Sequence, residues 1–198
     1  MYHKSRNWVG ITGTPGTGKK TVAPLVALKI GIPCVSLHDQ AVASGLVKKD
    51  YTDTEVDTAA LGKFLVKHVI GPALVYGHLL PYVLRGQEIG KVAVLRCEPK
   101  TLKRRLIARA YDPEKVVENV EAELIGVLSA DSITAFGRRK ASEFDTTKAK
   151  PADVATAVFE FLTGSGEFGP GIDWTFGYGS AAKLRSLLSV REMEPNLT

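Results

Sequence analysis

Trp8-Val-Gly-Ile-Thr-Gly-Thr-Pro-Gly-Thr-Gly-Lys19 runs from a short apolar segment into a glycine-rich turn that ends in lysine, and a helix-like pattern follows to Ile30. Strand, Gly-x-x-x-x-Gly-Lys loop and helix, in that order, are the context in which such a loop (a P-loop) cradles phosphate. Glycines let successive backbone N–H groups curl round an anion with no Cβ in the way, and the helix N-terminus adds its dipole. Lys19 then reaches the β- and γ-phosphates of a nucleotide such as ATP. The candidate nucleotide-binding residues of this segment are Gly13, Pro15, Gly16, Thr17, Gly18, Lys19, Lys20 and Thr21, with Lys19 also a candidate catalytic group.

The position after the lysine ordinarily carries Ser or Thr, whose hydroxyl ligates Mg²⁺, but here it is Lys20. An ammonium is a donor and cannot ligate a metal. Thr21 follows, yet one step along a helix turns a side chain by about 100°, away from the metal position. No metal ligand is therefore assigned.

Outward from the loop, short apolar runs stand at Trp8–Thr12, Cys34–Leu37, Ala73–Tyr76, Lys91–Cys97 and Glu143–Thr146. Between them lie helix-like periods near Lys19–Ile30, Asp57–Val69, Pro99–Ala110, Pro113–Phe136 and Pro151–Leu162. This alternation predicts an α/β fold of the P-loop NTPase type, a five-stranded parallel sheet with helices on both faces. Pro24, inside the first helical period, predicts a kink there. From Thr163 the composition shifts to Gly-Ser-Gly-Glu-Phe-Gly-Pro-Gly, which reads as a flexible connector. The reading is one domain over 1–163, with 164–198 a connector and tail lying outside the core.

The 198 residues carry 26 Lys and Arg against 21 Asp and Glu, a net charge of +5 that suits phosphate-bearing ligands or an RNA-rich neighbourhood without demanding either. Cys34 and Cys97 stand alone, with no metal-binding spacing, and are expected to be reduced and buried. No apolar run approaches the ~20 residues that span a bilayer. A cytoplasmic location is expected, with no membrane partner.

Four segments together resemble the adenylate kinase isoenzyme 6 family, small P-loop kinases and ATPases tied to maturation of the small ribosomal subunit. They are Gly13–Lys19, Val94-Leu-Arg-Cys-Glu-Pro99, the run from Arg109 to Glu123, and Phe144-Asp-Thr-Thr-Lys-Ala-Lys-Pro151. Pro170-Gly-Ile-Asp-Trp174 is similar to the tail of archaeal members. The resemblance implies a nucleoside monophosphate kinase-like fold and a phosphotransferase of the adenylate kinase type, moving the γ-phosphoryl of ATP to a nucleoside monophosphate such as AMP, or to water. It implies an acceptor segment over about 37–57 with Asp39 as the substrate-binding residue. It also implies a lid over about 109–119 with Arg109 as the catalytic clamp; Arg104 and Arg105 are alternatives. A guanidinium clamps migrating phosphoryl oxygens with two parallel bonds. Lys148 falls where related kinases run their backbone past the adenine.

After the third strand the family carries an acidic residue, one further position and a histidine. This chain reads Tyr76-Gly77-His78. The resemblance makes His78 a catalytic candidate that orients water or the γ-phosphate. Mg²⁺, expected from the family, loses its second usual anchor at Tyr76, while Asp53 and Asp57 remain nearby as caps or solvated charges. The implied partners are a platform protein of the small ribosomal subunit (universal family eleven) and, near it, rRNA. The alternative to an active kinase is a nucleotide-gated assembly factor with little turnover.

Overall fold

The computed structural model describes residues 7–49, 54–86, 88–169 and 171–189. Five strands form one sheet: β1 (Trp8–Thr12), β2 (Cys34–Ser36), β5 (Leu74–Tyr76), β6 (Ile89–Arg96) and β7 (Ala141–Asp145). Their order is β2-β5-β1-β6-β7 and every pairing is parallel. The predicted sheet is therefore present, each strand lying within two residues of its expected ends. Because the chain goes from β1 out to β2, back to β5, and then across β1 to β6, the order reverses at β1. In open α/β sheets the crevice at such a reversal, beyond the carboxyl ends of the strands, is where ligands bind.

Helices α1 (Lys19–Ile30) and α8 (Pro151–Thr163) cover one face, burying Val22, Val26, Val158 and Phe161 against Ile11, Leu74 and Leu95. On the other face α3 (Thr58–His68), α4 (Leu80–Val83) and α7 (Val127–Phe136) enclose Trp8, Val75 and Val92. The strand residues divide between the two clusters by the period-2 alternation of a pleated strand. α5 (Pro99–Ile107) and α6 (Pro113–Leu124) pack together at the edge in a third cluster.

Between β2 and α3 lie α2 (Leu37–Ala43) and an antiparallel pair, β3 (Val47–Lys49) with β4 (Thr54–Val56). Asp53 lies outside the described residues. Asp57 caps α3, accepting a hydrogen bond from the Ala60 N–H at 2.8 Å.

Three expectations need correction. The single helical period Pro113–Phe136 is two helices, broken at Ile125–Gly126, where Gly126 takes φ 71°. The break wraps round the Arg96 guanidinium, which donates to the Glu123 carbonyl at 2.9 Å and lies 3.5 Å from where a Cβ on Gly126 would sit. Helix α1 is continuous through Pro24, which is exposed on the solvent side and leaves the Lys20 carbonyl without its helical donor. Cys97 is buried as expected, but Cys34 is exposed at the sheet's edge strand.

Through residue 189 the tail does not lie outside the core. After α8, Gly169 N–H donates to Ser142 Oγ at 2.7 Å, and Ile172 N–H donates to Glu143 Oε2 at 2.6 Å. A 3₁₀ turn (Thr175–Tyr178) and α9 (Ala181–Leu188) follow, with Leu187 buried in the α5–α6 cluster beside the partly buried Trp174 and Tyr178. Lys103, buried on α5, donates to the Ser189 carbonyl at the end of α9 at 3.0 Å. Among the described residues no helix is long and apolar enough to cross a membrane.

Candidate functional site

The loop 13–18 sits at the carboxyl end of β1, at the reversal point of the sheet. Gly13 has φ 140° and its missing Cβ would stand 2.3 Å from the Leu95 carbonyl oxygen on β6, so only glycine allows the loop to leave the strand this close to its neighbour. Gly16, at φ 94°, packs against Leu102 of α5, where a Cβ would come within 2.6 Å. Inside the loop the Thr17 N–H donates to the Thr14 carbonyl at 3.1 Å, and the Thr17 hydroxyl donates to the same carbonyl at 2.9 Å. Gly18 caps α1 in the left-handed conformation with no side-chain cap, and the first turn carries no acidic residue. The N–H groups of Lys19 and Lys20, which have no intrahelical acceptor, and the positive end of the dipole are thus left for an anion.

Lys19 folds over the loop, its Nζ donating to the carbonyls of Gly13 at 2.5 Å and Thr14 at 3.1 Å. Loss of hydration in this setting pushes its pKa down to about 7; the charges of Arg109 and Lys20 add to that, and Glu123 opposes it. The same charges identify the neighbours: Arg109, Lys20 and Glu123 all lie within electrostatic reach of the lysine. Lys20 and Thr21 are exposed, and Pro15 is half-buried at the turn.

Arg109 follows α5 in a tight turn that ends in Ala110 at φ 54°; its side chain is exposed. The expected lid, 109–119, is this turn through Asp112 followed by the start of α6, where Val116 is fully buried. Asp112 caps α6, accepting from the Glu114 N–H. Arg105 is not available as a clamp: its Nη2 donates to the carbonyls of Thr146 at 2.8 Å and Thr147 at 3.2 Å. It fixes the β7–α8 loop that carries the exposed Lys148. That loop is also tied to the cradle, because Thr146 Oγ1 donates to the Thr17 carbonyl at 2.8 Å.

On the other flank β5 ends in Tyr76. Tyr76 packs with the α1–α8 cluster and pairs in register with Ile11, and Thr12 Oγ1 donates to the Gly77 carbonyl at 2.9 Å. His78 stands next, its edge exposed but with enough protein around the ring that loss of hydration pushes its pKa down to about 4, the Lys19 and His38 charges assisting. Its exposed side screens those charges, and the ring is neutral at pH 7 on either weighting. Asp39, exposed in the first turn of α2, lies beyond the carboxyl end of β2 on the same side of the sheet, and its N–H donates to the capping Ser36 Oγ at 3.3 Å.

One constellation was not foreseen. Arg96, at the end of the otherwise apolar β6, is 2% exposed and pairs with Glu123 (Nε to Oε1, 2.8 Å), itself 1% exposed, and with Glu143. Glu123 Oε2 accepts from the Thr14 hydroxyl at 2.6 Å, so the buried cluster reaches into the cradle. The available signal was an arginine closing an apolar strand: a charge buried there needs a partner of opposite sign.

A strand-loop-helix cradle at the reversal point of a 2-5-1-6-7 parallel sheet defines a P-loop nucleotide-binding protein of the kinase type. Residues 9–126 match the family model described as "AAA domain". The chain is 37% identical over 177 residues to a Pyrococcus furiosus protein named "Putative adenylate kinase", covering 86% of this chain and 92% of that one. A Thermococcus gammatolerans protein of the same name is 36% identical over 159 residues, 78% of this chain and 84% of that one. Among solved structures, the shikimate kinase of Acinetobacter baumannii superposes with a TM-score of 0.53 at 18% identity, over 81% of this chain and 95% of that one, a likeness of fold alone. The chain belongs to this AAA-domain family, within its adenylate kinase-like branch.

Proposed function

We propose that the chain is an ATP:nucleoside monophosphate phosphotransferase of the adenylate kinase type, with AMP as the acceptor. The observation that carries the reading is the cradle: Lys19 on a glycine-rich loop whose backbone is shaped by Gly13 and Gly16 and tied to the Lys148 loop through Thr146. The Pyrococcus furiosus and Thermococcus gammatolerans relatives bear the name "Putative adenylate kinase".

In this reading the triphosphate draws the Lys19 ammonium off the two loop carbonyls and onto its own oxygens, and the backbone N–H groups at the start of α1 complete the cradle. The adenine lies along the 146–150 backbone. Asp39 orients the acceptor from α2. An AMP phosphate oxygen attacks the γ-phosphorus in line; the bond to the β-phosphate oxygen breaks, and two molecules of ADP leave. Catalysis is by positioning and charge rather than by a covalent intermediate. Arg109, on the turn after α5, meets the charge on the migrating phosphoryl group, and neutral His78 orients the nucleotide or a water.

Magnesium usually accompanies ATP in such kinases and, if bound, would supply charge neutralisation on the triphosphate. The chain's own donors do not fit it at the two usual positions: one holds the Lys20 ammonium, and the other holds Tyr76, packed into the core. Among the described residues no group of three or more His, Cys, Asp or Glu stands together to replace them. That misfit favours the second reading, a nucleotide-gated assembly factor with slow turnover, a slow ATPase at most. Its partner by resemblance is the platform protein of the small ribosomal subunit, near rRNA.

The test is a coupled ADP assay with and without AMP across a magnesium titration, beside calorimetry of ATP binding. AMP-dependent ADP production supports the kinase; tight binding with no AMP-dependent production supports the gated factor; no ATP binding overturns both. Lys20→Thr with Tyr76→Asp is expected to raise magnesium-dependent turnover more than the two single changes together, since both positions must hold one ion.

A further inference from the structure

Glu123 carries two loads on one buried carboxylate. Its Oε2 accepts from the cradle, the Thr14 hydroxyl at 2.6 Å. Its Oε1 accepts from Arg96 Nε at 2.8 Å, the Cys97 N–H at 2.9 Å and Trp174 Nε1 in the tail at 3.3 Å. The same ion cluster holds the tail a second time: Arg96 donates to the Ile172 carbonyl at 3.2 Å, and Glu143 Oε2 accepts the Ile172 N–H at 2.6 Å. The point where the tail joins the body is therefore bonded to the carboxylate that holds the phosphate loop.

We propose that Glu123 is a positioning residue for the cradle, and that docking of the tail segment 171–189 and binding of the triphosphate favour each other through it. The proposal rests on reading the cradle as the ATP site. The Thr14 carbonyl is the acceptor for Thr17 and Lys19, so the orientation of this one peptide sets the loop, and the Thr14 hydroxyl anchors it to Glu123. A buried carboxylate keeps one orientation when all its acceptor sites are used, and a half-satisfied one admits water and other rotamers. With the indole N–H on Oε1, the carboxylate holds Thr14 in place and the cradle is formed before phosphate arrives, which lowers the ordering cost of binding. With the tail undocked, Glu123 keeps Arg96 and the Cys97 N–H but loses the indole, while Arg96 and Glu143 lose Ile172, so the ion cluster that orients the carboxylate loosens and Thr14 with it. Only the docked form presents the formed cradle, which supplies the differential affinity that coupling requires. By linkage, ATP must then hold the tail down by the same factor.

Full-length Trp174→Phe keeps the ring packing and removes the donor. Its ATP affinity by calorimetry is expected to fall three- to thirtyfold. In the unmodified chain, saturating ATP is expected to slow hydrogen exchange of the Ile172 amide and the Trp174 indole N–H by at least threefold, and to lose that effect at Ile172 in Trp174→Phe. Phe176→Ala, in the same tail but 95% exposed, is expected to change neither. A purely packing role for Trp174 moves the melting temperature and leaves ATP affinity where it was; that result overturns the proposal. Thr14→Val decides the coupling without nucleotide: removing its hydroxyl is expected to speed exchange at Ile172 and Trp174 at least threefold, and unchanged exchange there also overturns it. Failure of the unmodified chain to bind ATP is a different result, which removes the nucleotide reading while the Thr14→Val exchange still decides the link between loop and tail.

Discussion

The cradle and the tail share a carboxylate but are built in opposite ways. In Gly13–Lys19 the shape is made chiefly by the backbone of seven consecutive residues, with bonds at sequence separations of three to six, and a few long-range ties such as Thr14 to Glu123 and Thr146 to Thr17 anchor it. In the tail the bonds that fix it to the body run to residues far along the chain, such as Ile172 to Glu143 at a separation of 29 and Arg96 to Ile172 at 76. The first kind of structure exists to meet a ligand and tolerates side-chain loss without unfolding. The second exists only through its partners, so losing one partner is felt in the stability of the whole. Substitutions in the two regions should separate binding from folding.

The largest separation is expected at Lys19→Ala. Two charge-assisted hydrogen bonds to phosphate, each worth about 1.5–3 kcal/mol, are lost, so ATP affinity should fall by roughly two to four orders of magnitude. Stability should stay level or rise, because the folded chain holds this amine against a pKa of about 7. Calorimetry with ATP and urea unfolding test both halves. A lower urea midpoint with unchanged affinity would reverse the comparison.

Arg96→Leu should do the converse. It leaves the buried Glu123 and the partly buried Glu143 without their cation, a change expected to cost about 3–5 kcal/mol in urea unfolding. Ending the chain at Gly169 is the milder version. It removes the buried Leu187, the Trp174 and Ile172 bonds and the α9 contact of Lys103, and should cost about 2–4 kcal/mol. An unchanged midpoint would return the tail to the appendage that its glycine-rich connector suggests.

That connector shows why part of the molecule was readable and part was not. Strand, cradle and helix follow one another in sequence, and each enforces its own local geometry, so Gly13–Lys19 and the five-stranded sheet could be read directly. The tail's attachment depends on Arg96 finding Glu123 and Glu143, pairings with no local signature. Composition described the connector's freedom as an isolated peptide, not the partners it finds. The helix break at Gly126 was hidden for the same reason, since its cause is the Arg96 guanidinium beneath it. In sequence Arg105 stands as an alternative clamp to Arg109; in the fold the Thr146 and Thr147 carbonyls occupy it. The downward pKa shift of His78, from loss of hydration first and the Lys19 and His38 charges second, likewise has no local signature.

The smallest expected effect is a proton. In the free chain Lys19 titrates near 7, chiefly because the fold strips its hydration, with Arg109 and Lys20 adding to the shift. The unfolded chain keeps this proton up to about its ordinary 10.5, so the group's contribution to stability rises with pH between about 7 and 10.5. A bound polyanion reverses the preference, since the ammonium then faces phosphate oxygens and stays protonated. ATP binding above pH 7 must therefore take up a proton, approaching about 0.9 per site at pH 8, where the phosphate's own second ionisation near 6 is complete. The consequence is a loss of affinity of about 1.4 kcal/mol, or tenfold, for each pH unit above 7, until the pKa of the bound state is reached; below 7 the lysine imposes no slope. His78, pushed down to about 4, adds nothing in this window. Calorimetry at pH 8 in two buffers of different ionisation enthalpy measures the uptake directly. Lys19→Arg is expected to abolish it, because a guanidinium stays charged in both states. Zero uptake in the unmodified chain would mean that Lys19 is already charged in the free protein, and that the cradle is wetter than its folded-back lysine implies.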